Sequence, residues 1–106
     1  MLHKYKVSAY LNGHDHNLQH ISDHYLNQTV DYIVSGAADF VSDSTVHASN
    51  IPAGSLKFNW PSQKNHLFFD GGFTIFKANE KNMTVTFIQS NGVELHQVVI
   101  QPRNFN

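Results

Sequence analysis

Met83-Thr84-Val85-Thr86-Phe87-Ile88-Gln89-Ser90-Asn91-Gly92-Val93-Glu94-Leu95-His96-Gln97-Val98-Val99-Ile100 reads as two strands joined by a turn. Met83, Val85 and Phe87 alternate with polar threonines, so an extended chain places all three on one face, directed inward. Ser90-Asn91-Gly92 between the two runs carries the Asn-Gly step that hairpin turns favour, and Val93–Ile100 continues as the return strand. A carboxyl-terminal β-hairpin is the expectation.

Moving outward, Gly71-Gly72 introduces the run Phe73–Phe76, and Asn79–Asn82 is a turn composition. Leu56, Phe58 and Trp60 alternate against Ser55, Lys57 and Asn59, with Pro61 as a stop. Everything after residue 54 is therefore expected to form one antiparallel meander. Further upstream, Val30-Asp31-Tyr32-Ile33-Val34 is rich in β-branched and aromatic types and ends at Ser35-Gly36-Ala37-Ala38, small residues that permit close backbone approach. Lys6–Leu11 is expected as the first strand, residues 1–5 as the tail of a helix entering it, and Gly13–Asn27 as a polar loop. Residues 39–53, with Asp39, Ser42, Asp43, Ser44, Asn50 and Pro52, read as a long surface loop whose carboxylates are solvated turn residues. No repeat or domain boundary interrupts the chain, so residues 1–106 are one segment. Phe58, Trp60, Phe73, Phe76 and Phe87 lie at strand spacing, where aromatics belong to the core more often than to a stacking platform.

Composition excludes several functions. At 106 residues, 41% hydrophobic and 14% charged, the chain has enough apolar side chains for one modest core. Six dispersed lysines and a single arginine, Arg103, offer no basic patch, so nucleic acid is not expected as a partner. No apolar run approaches the ~20 residues that cross a bilayer, and Met1-Leu2-His3-Lys4-Tyr5 lacks the apolar region of a signal peptide. Cysteine is absent, which removes disulfides and thiolate ligands together. Full protonation of the eight histidines would carry the formal charge from −1 to +7, a change that suits an acidic location. Two sequons, Asn27-Gln28-Thr29 and Asn82-Met83-Thr84, mark Asn27 and Asn82 as candidate glycosylation sites.

Gly13-His14-Asp15-His16-Asn17 follows the first strand directly. A glycine at the strand end allows a sharp turn, and residues two apart on extended chain project to one side, so His14 and His16 can feed one cation or two adjacent ones. Neutral imidazole is a common ligand for zinc and iron. With eight histidines in the chain, an i, i+2 pair also arises by coincidence, and the remaining six (His3, His20, His24, His47, His66, His96) read as solvated or singly hydrogen-bonded. Other chemistries lack their local signatures: no Gly-x-Ser-x-Gly elbow selects a serine, and Gly71-Gly72 lacks the helix and lysine of a phosphate loop. No catalytic acid, base or nucleophile is assigned.

Tyr10-Leu11-Asn12-Gly13-His14-Asp15-His16-Asn17-Leu18-Gln19 resembles the last metal-binding motif of the purple acid phosphatases, specifically the small animal, tartrate-resistant type within the calcineurin-like metallophosphoesterases. Val30–Ala38, Pro52–Phe58, Gly71-Gly72-Phe73 and Met83–Ile88 fall in the order and approximate spacing of the carboxyl-terminal part of that family, so the resemblance covers nearly the whole chain. The fold it implies is mainly β: mixed, then antiparallel strands with a carboxyl-terminal hairpin, forming part of a four-layer α/β metallophosphoesterase β-sandwich flanked by helices. The site it implies is a dinuclear metal centre at the carboxyl ends of central strands, Fe(III) with Fe(II), zinc or manganese, in which His14 holds the divalent ion and His16 the ferric one. The implied reaction is hydrolysis of phosphate monoesters, in a secreted or lysosomal setting. The family's other ligands belong to upstream motifs that have no counterpart here. The expected partner is therefore the missing amino-terminal part of the same enzyme, the isolated chain is expected to be inactive, and the first strand and Val30–Val34 are expected to pair with strands of that part. The second reading is a free-standing β module that binds a metal ion or a protein partner without catalysis.

Overall fold

The computed structural model describes residues 2–15, 17–25, 27–37, 53–60 and 71–103. Seven strands form among them: β1 Ala9–Asn12, β2 Leu18–Tyr25, β3 Gln28–Ser35, β4 Leu56–Trp60, β5 Gly72–Ala78, β6 Met83–Gln89 and β7 Glu94–Ile100. Four make a mixed sheet in the order β1-β3-β2-β4, and three make an antiparallel sheet in the order β5-β6-β7. The mainly β architecture, mixed then antiparallel with a terminal hairpin, is as the sequence reading expects; no helix occurs among the described residues.

The terminal hairpin forms as its residues dictate. Gly92 donates to the Gln89 carbonyl at 2.8 Å and Gln89 to the Val93 carbonyl at 2.9 Å, with Gly92 at φ 91°, where a side chain would be strained. A turn followed by a left-handed glycine is a common three-residue hairpin loop. Asn91 Oδ1 accepts from the Val93 amide at 3.0 Å and fixes the exit. At the other end of β6, Asn79 Oδ1 accepts from the Lys81 and Asn82 amides at 2.7 and 3.0 Å, closing the expected Asn79–Asn82 turn.

The two sheets face each other across one core. Leu18, Ile33 and Trp60 from the mixed sheet meet Val85, Phe87 and Ile100 from the antiparallel one, with Ala37 completing the cluster. Phe87, Leu18, Ile33 and Val85 are wholly buried. Burial of such side chains contributes about 1.5–3 kcal/mol each.

Five expectations are corrected. Gly13–Asn27 is not a loop throughout, because β2 occupies Leu18–Tyr25 between β3 and β4. Its polar composition hid it: backbone pairing with two neighbours, rather than an apolar stripe, secures the strand. The chain after residue 54 is not one meander, since β4 pairs antiparallel with β2 in the opposite sheet, with a register shift between His20 and Ile21. Val30–Val34 does not await an outside strand: β3 lies between β2 and β1, which runs parallel to it from Ala9 opposite Asp31 to Asn12 opposite Val34, whereas β1 stands at the edge of the sheet with one side free of described strands. Residues 2–6 are turn rather than helix. Val7 donates to the Leu2 carbonyl and Lys6 to that of His3, with Lys6 at φ 55°, the bonding pattern by which helices terminate. Finally, Phe73 and Phe76 are 46% and 40% exposed. β5 is an edge strand that meets the opposite sheet at Gly72, where an added Cβ would lie 3.0 Å from Leu18 and 3.1 Å from Trp60, so side chains further along project past the core. The expected loop 39–53 lies outside the described residues except for Ala53, as do Pro61, His47 and His66.

Candidate metal centre

The histidine-bearing segment owes its position to sheet topology. β1 and β2 both flank β3, so the chain leaving β1 at Asn12 must cross the carboxyl end of β3 before entering β2 at Leu18. Gly36, immediately beyond β3, lies under that crossing. A Cβ on it would come 2.0 Å from the Asp15 carbonyl oxygen and 3.3 Å from the His14 amide nitrogen. Only glycine fits there, because both obstacles are backbone atoms. The small-residue run Ser35-Gly36-Ala37 thus does what its composition suggests, and the closely approaching chain is the histidine loop itself.

Hydrogen bonds hold the crossing in place. The Gly36 amide donates to the Asn17 carbonyl at 2.9 Å, and the Asn17 amide donates to the Asp15 carbonyl at 2.7 Å. Asn17 is buried, and its Oδ1 is a buried acceptor with no donor among the described residues. His14 adopts φ 78°, a left-handed backbone conformation that is uncommon for a residue with a side chain. Its ring is exposed and makes no hydrogen bond among the described residues. An exposed imidazole on a tethered loop, with no hydrogen bond among the described residues, has the chemistry of a nitrogen ligand to iron or zinc. His16 lies outside the described residues. Among the described residues no three histidine, aspartate or glutamate side chains cluster closely enough to hold an ion.

The two sequon asparagines stand differently. Asn27 sits exposed at the β2–β3 turn with φ 62°, between Tyr25 and Gln28, which pair across the hairpin. Asn82 is half-buried within the Asn79-closed turn.

One polar cluster escaped the sequence reading altogether. His20, 4% exposed, places Nε2 2.7 Å from Asp31 Oδ1 and Nδ1 3.1 Å from His96 Nε2. The His96 ring stacks on Phe58 with centroids 4.7 Å apart and planes within 3°. Burial, and the neighbouring His20, lower the His96 pKa from 6.5. His20, expected to be solvated or singly hydrogen-bonded, is buried with two partners, whereas His96 makes a single hydrogen bond, to His20. Only the β2–β3 register, and a facing sheet that delivers His96, could bring these three residues together.

Over 103 residues, 97% of its length, the chain is 40% identical to the tartrate-resistant acid phosphatase type 5 of Oryctolagus cuniculus and covers 30% of that protein. Against the protein of the same name from Homo sapiens the identity is 37% over the same share of the chain, again covering 30% of the relative. Purple acid phosphatase 4 of Arabidopsis thaliana is 32% identical over 94 residues, 87% of the chain and 24% of the relative. The matched part is the carboxyl-terminal portion in each case, so the chain spans about 30% of the length of the animal relatives it matches. No known protein-family model matches.

Proposed function

The chain belongs to the purple acid phosphatase family, matching its carboxyl-terminal part, and from that premise we propose that it is the portion of an acid phosphatase that presents His14 and His16 to a dinuclear metal centre. The observation carrying this reading is the Gly36-supported crossing, which holds an exposed imidazole, without a hydrogen bond among the described residues, at the carboxyl ends of the parallel strands β1 and β3. When bound, a dinuclear centre of Fe(III) with Fe(II), zinc or manganese supplies Lewis acidity and water activation for phosphate monoester hydrolysis.

The work of this chain is positional. Gly36 sets the height of the loop over β3, the hydrogen bonds through Asn17 fix its path, and the left-handed His14 turns its imidazole outward. The remaining ligands would come from polypeptide outside these 106 residues, which alone would not hydrolyse phosphate esters. Two imidazoles leave most coordination positions to solvent, too few protein ligands to hold a metal pair tightly. A secreted or lysosomal protein fits the reading, with Asn27 as the accessible glycan acceptor and Asn82 as the more hindered one.

The test is His14→Ala and His16→Ala in the full-length protein, each assayed for bound metal and for phosphate released from an aryl phosphate. Both variants should lose metal and at least 100-fold in turnover, in line with the several kcal/mol that metal catalysis supplies. Unchanged metal content and turnover in both would remove these residues from the centre.

A further inference from the structure

Asp31, His20 and His96 bridge the two sheets, since His20 and Asp31 stand on β2 and β3 and His96 stands on β7. They line a cavity of about 650 Å³ between the sheets. The hydrogen-bond chemistry restricts their protonation. An ionised Asp31 carboxylate only accepts, so the proton on the Asp31 side of His20 sits on Nε2. Neutral His20 then offers a lone pair at Nδ1, which accepts from His96 Nε2–H. One extra proton is tolerated, because either ring can carry it and still have a donor facing an acceptor. A second is not: both facing nitrogens, 3.1 Å apart, would be donors on cations.

We propose that Asp31, His20 and His96 form a proton-operated latch between the sheets, closed while the two rings share at most one added proton and forced open when both are protonated. Among the described residues lining the cavity, Asp31 on β3 is the one acidic group; Lys57 on β4 and Arg103 beyond β7 line it too and oppose a second cation; Phe58 on β4 and Phe87 on β6 cover the His96 ring without charge. The direction of the His96 shift agrees, with burial first and His20 second among its causes. The latch rests on no part of the phosphatase reading.

Histidine-labelled full-length protein should show, in long-range proton–nitrogen spectra above pH 7.5, His20 protonated at Nε2 and bare at Nδ1. On acidification His96 should titrate below 6.5, and ring-to-ring contacts between His20 and His96 should survive the first proton taken up by the pair and vanish with the second. Persistence of those contacts once both rings are protonated, or a His96 midpoint at or above 6.5, would overturn the latch. His96→Gln keeps an amide donor for His20 but cannot take the proton. Since the folded state disfavours charged His96, the unfolded chain binds a proton that the fold does not as pH falls below 6.5, so the wild type should lose more stability between pH 7.5 and 5 than the variant. Equal losses in the two proteins would contradict the proposal, and the wild-type spectra decide it even where the variant does not fold.

Discussion

Gly36 supports Asp15 with no room to spare: any Cβ at residue 36 would fall 2.0 Å from the Asp15 carbonyl oxygen. Gly36→Ala should therefore push the crossing off the end of β3 and misplace His14 without touching a ligand. In the full-length protein the expectation is a loss of bound metal and of turnover, with the sheets retained by circular dichroism. Wild-type metal content in Gly36→Ala would show that the contact does not position the loop.

His14 separates conformational cost from chemistry. Its φ of 78° costs about 1–2 kcal/mol for a side-chain-bearing residue and nothing for glycine. His14→Gly should thus be at least as stable to urea as His14→Ala, by about 1 kcal/mol, while both lose metal equally. A less stable glycine variant would mean that the left-handed conformation is not adopted.

Core and surface aromatics should part company. Phe87 is fully buried between the sheets, and Phe87→Ala should cost about 3–5 kcal/mol through lost burial and an unfilled cavity. Phe73, 46% exposed, should cost less than about 1 kcal/mol on truncation. Urea denaturation of the two variants checks the contrast, and similar losses would contradict the packing.

Arg103 fastens the carboxyl-terminal segment to the chain entering β1 and to β3. Its Nε donates to the Lys6 carbonyl at 3.2 Å, and one terminal nitrogen donates to the Val7 carbonyl at 2.8 Å and to that of Thr29. Charge-assisted bonds of this kind are worth about 1.5–3 kcal/mol each, less what solvent returns. Arg103→Ala should cost about 2–4 kcal/mol, read by thermal unfolding, and Arg103→Lys should recover only part, since an ammonium lacks the rigid fork that spans carbonyls from two segments of the chain.

The terminal hairpin was legible because Val85 and Phe87 are both inward-facing and apolar, and because Asn91-Gly92 names its own turn. β2 was not, because its inward positions after Leu18 are His20 and Ser22, polar residues that alternation rules take for loop. Burial of His20 is satisfied by Asp31 and His96, partners 11 and 76 residues away, and no local pattern announces them. The histidine loop was legible from Gly13-His14-Asp15-His16, and even its support was foreshadowed by the small residues around Gly36. Its crossing over β3 was not, since that depends on β2 lying on the far side of β3 from β1.

Anomalous diffraction from crystals of the full-length protein, collected at the iron and zinc edges, tests the central claim most directly. Two neighbouring peaks beside the Gly13–Asn17 crossing are predicted, one of them about 2.0–2.1 Å from an imidazole nitrogen of His14. Peaks found elsewhere, with the His14 ring left in solvent, would contradict the assignment of this loop to the metal centre.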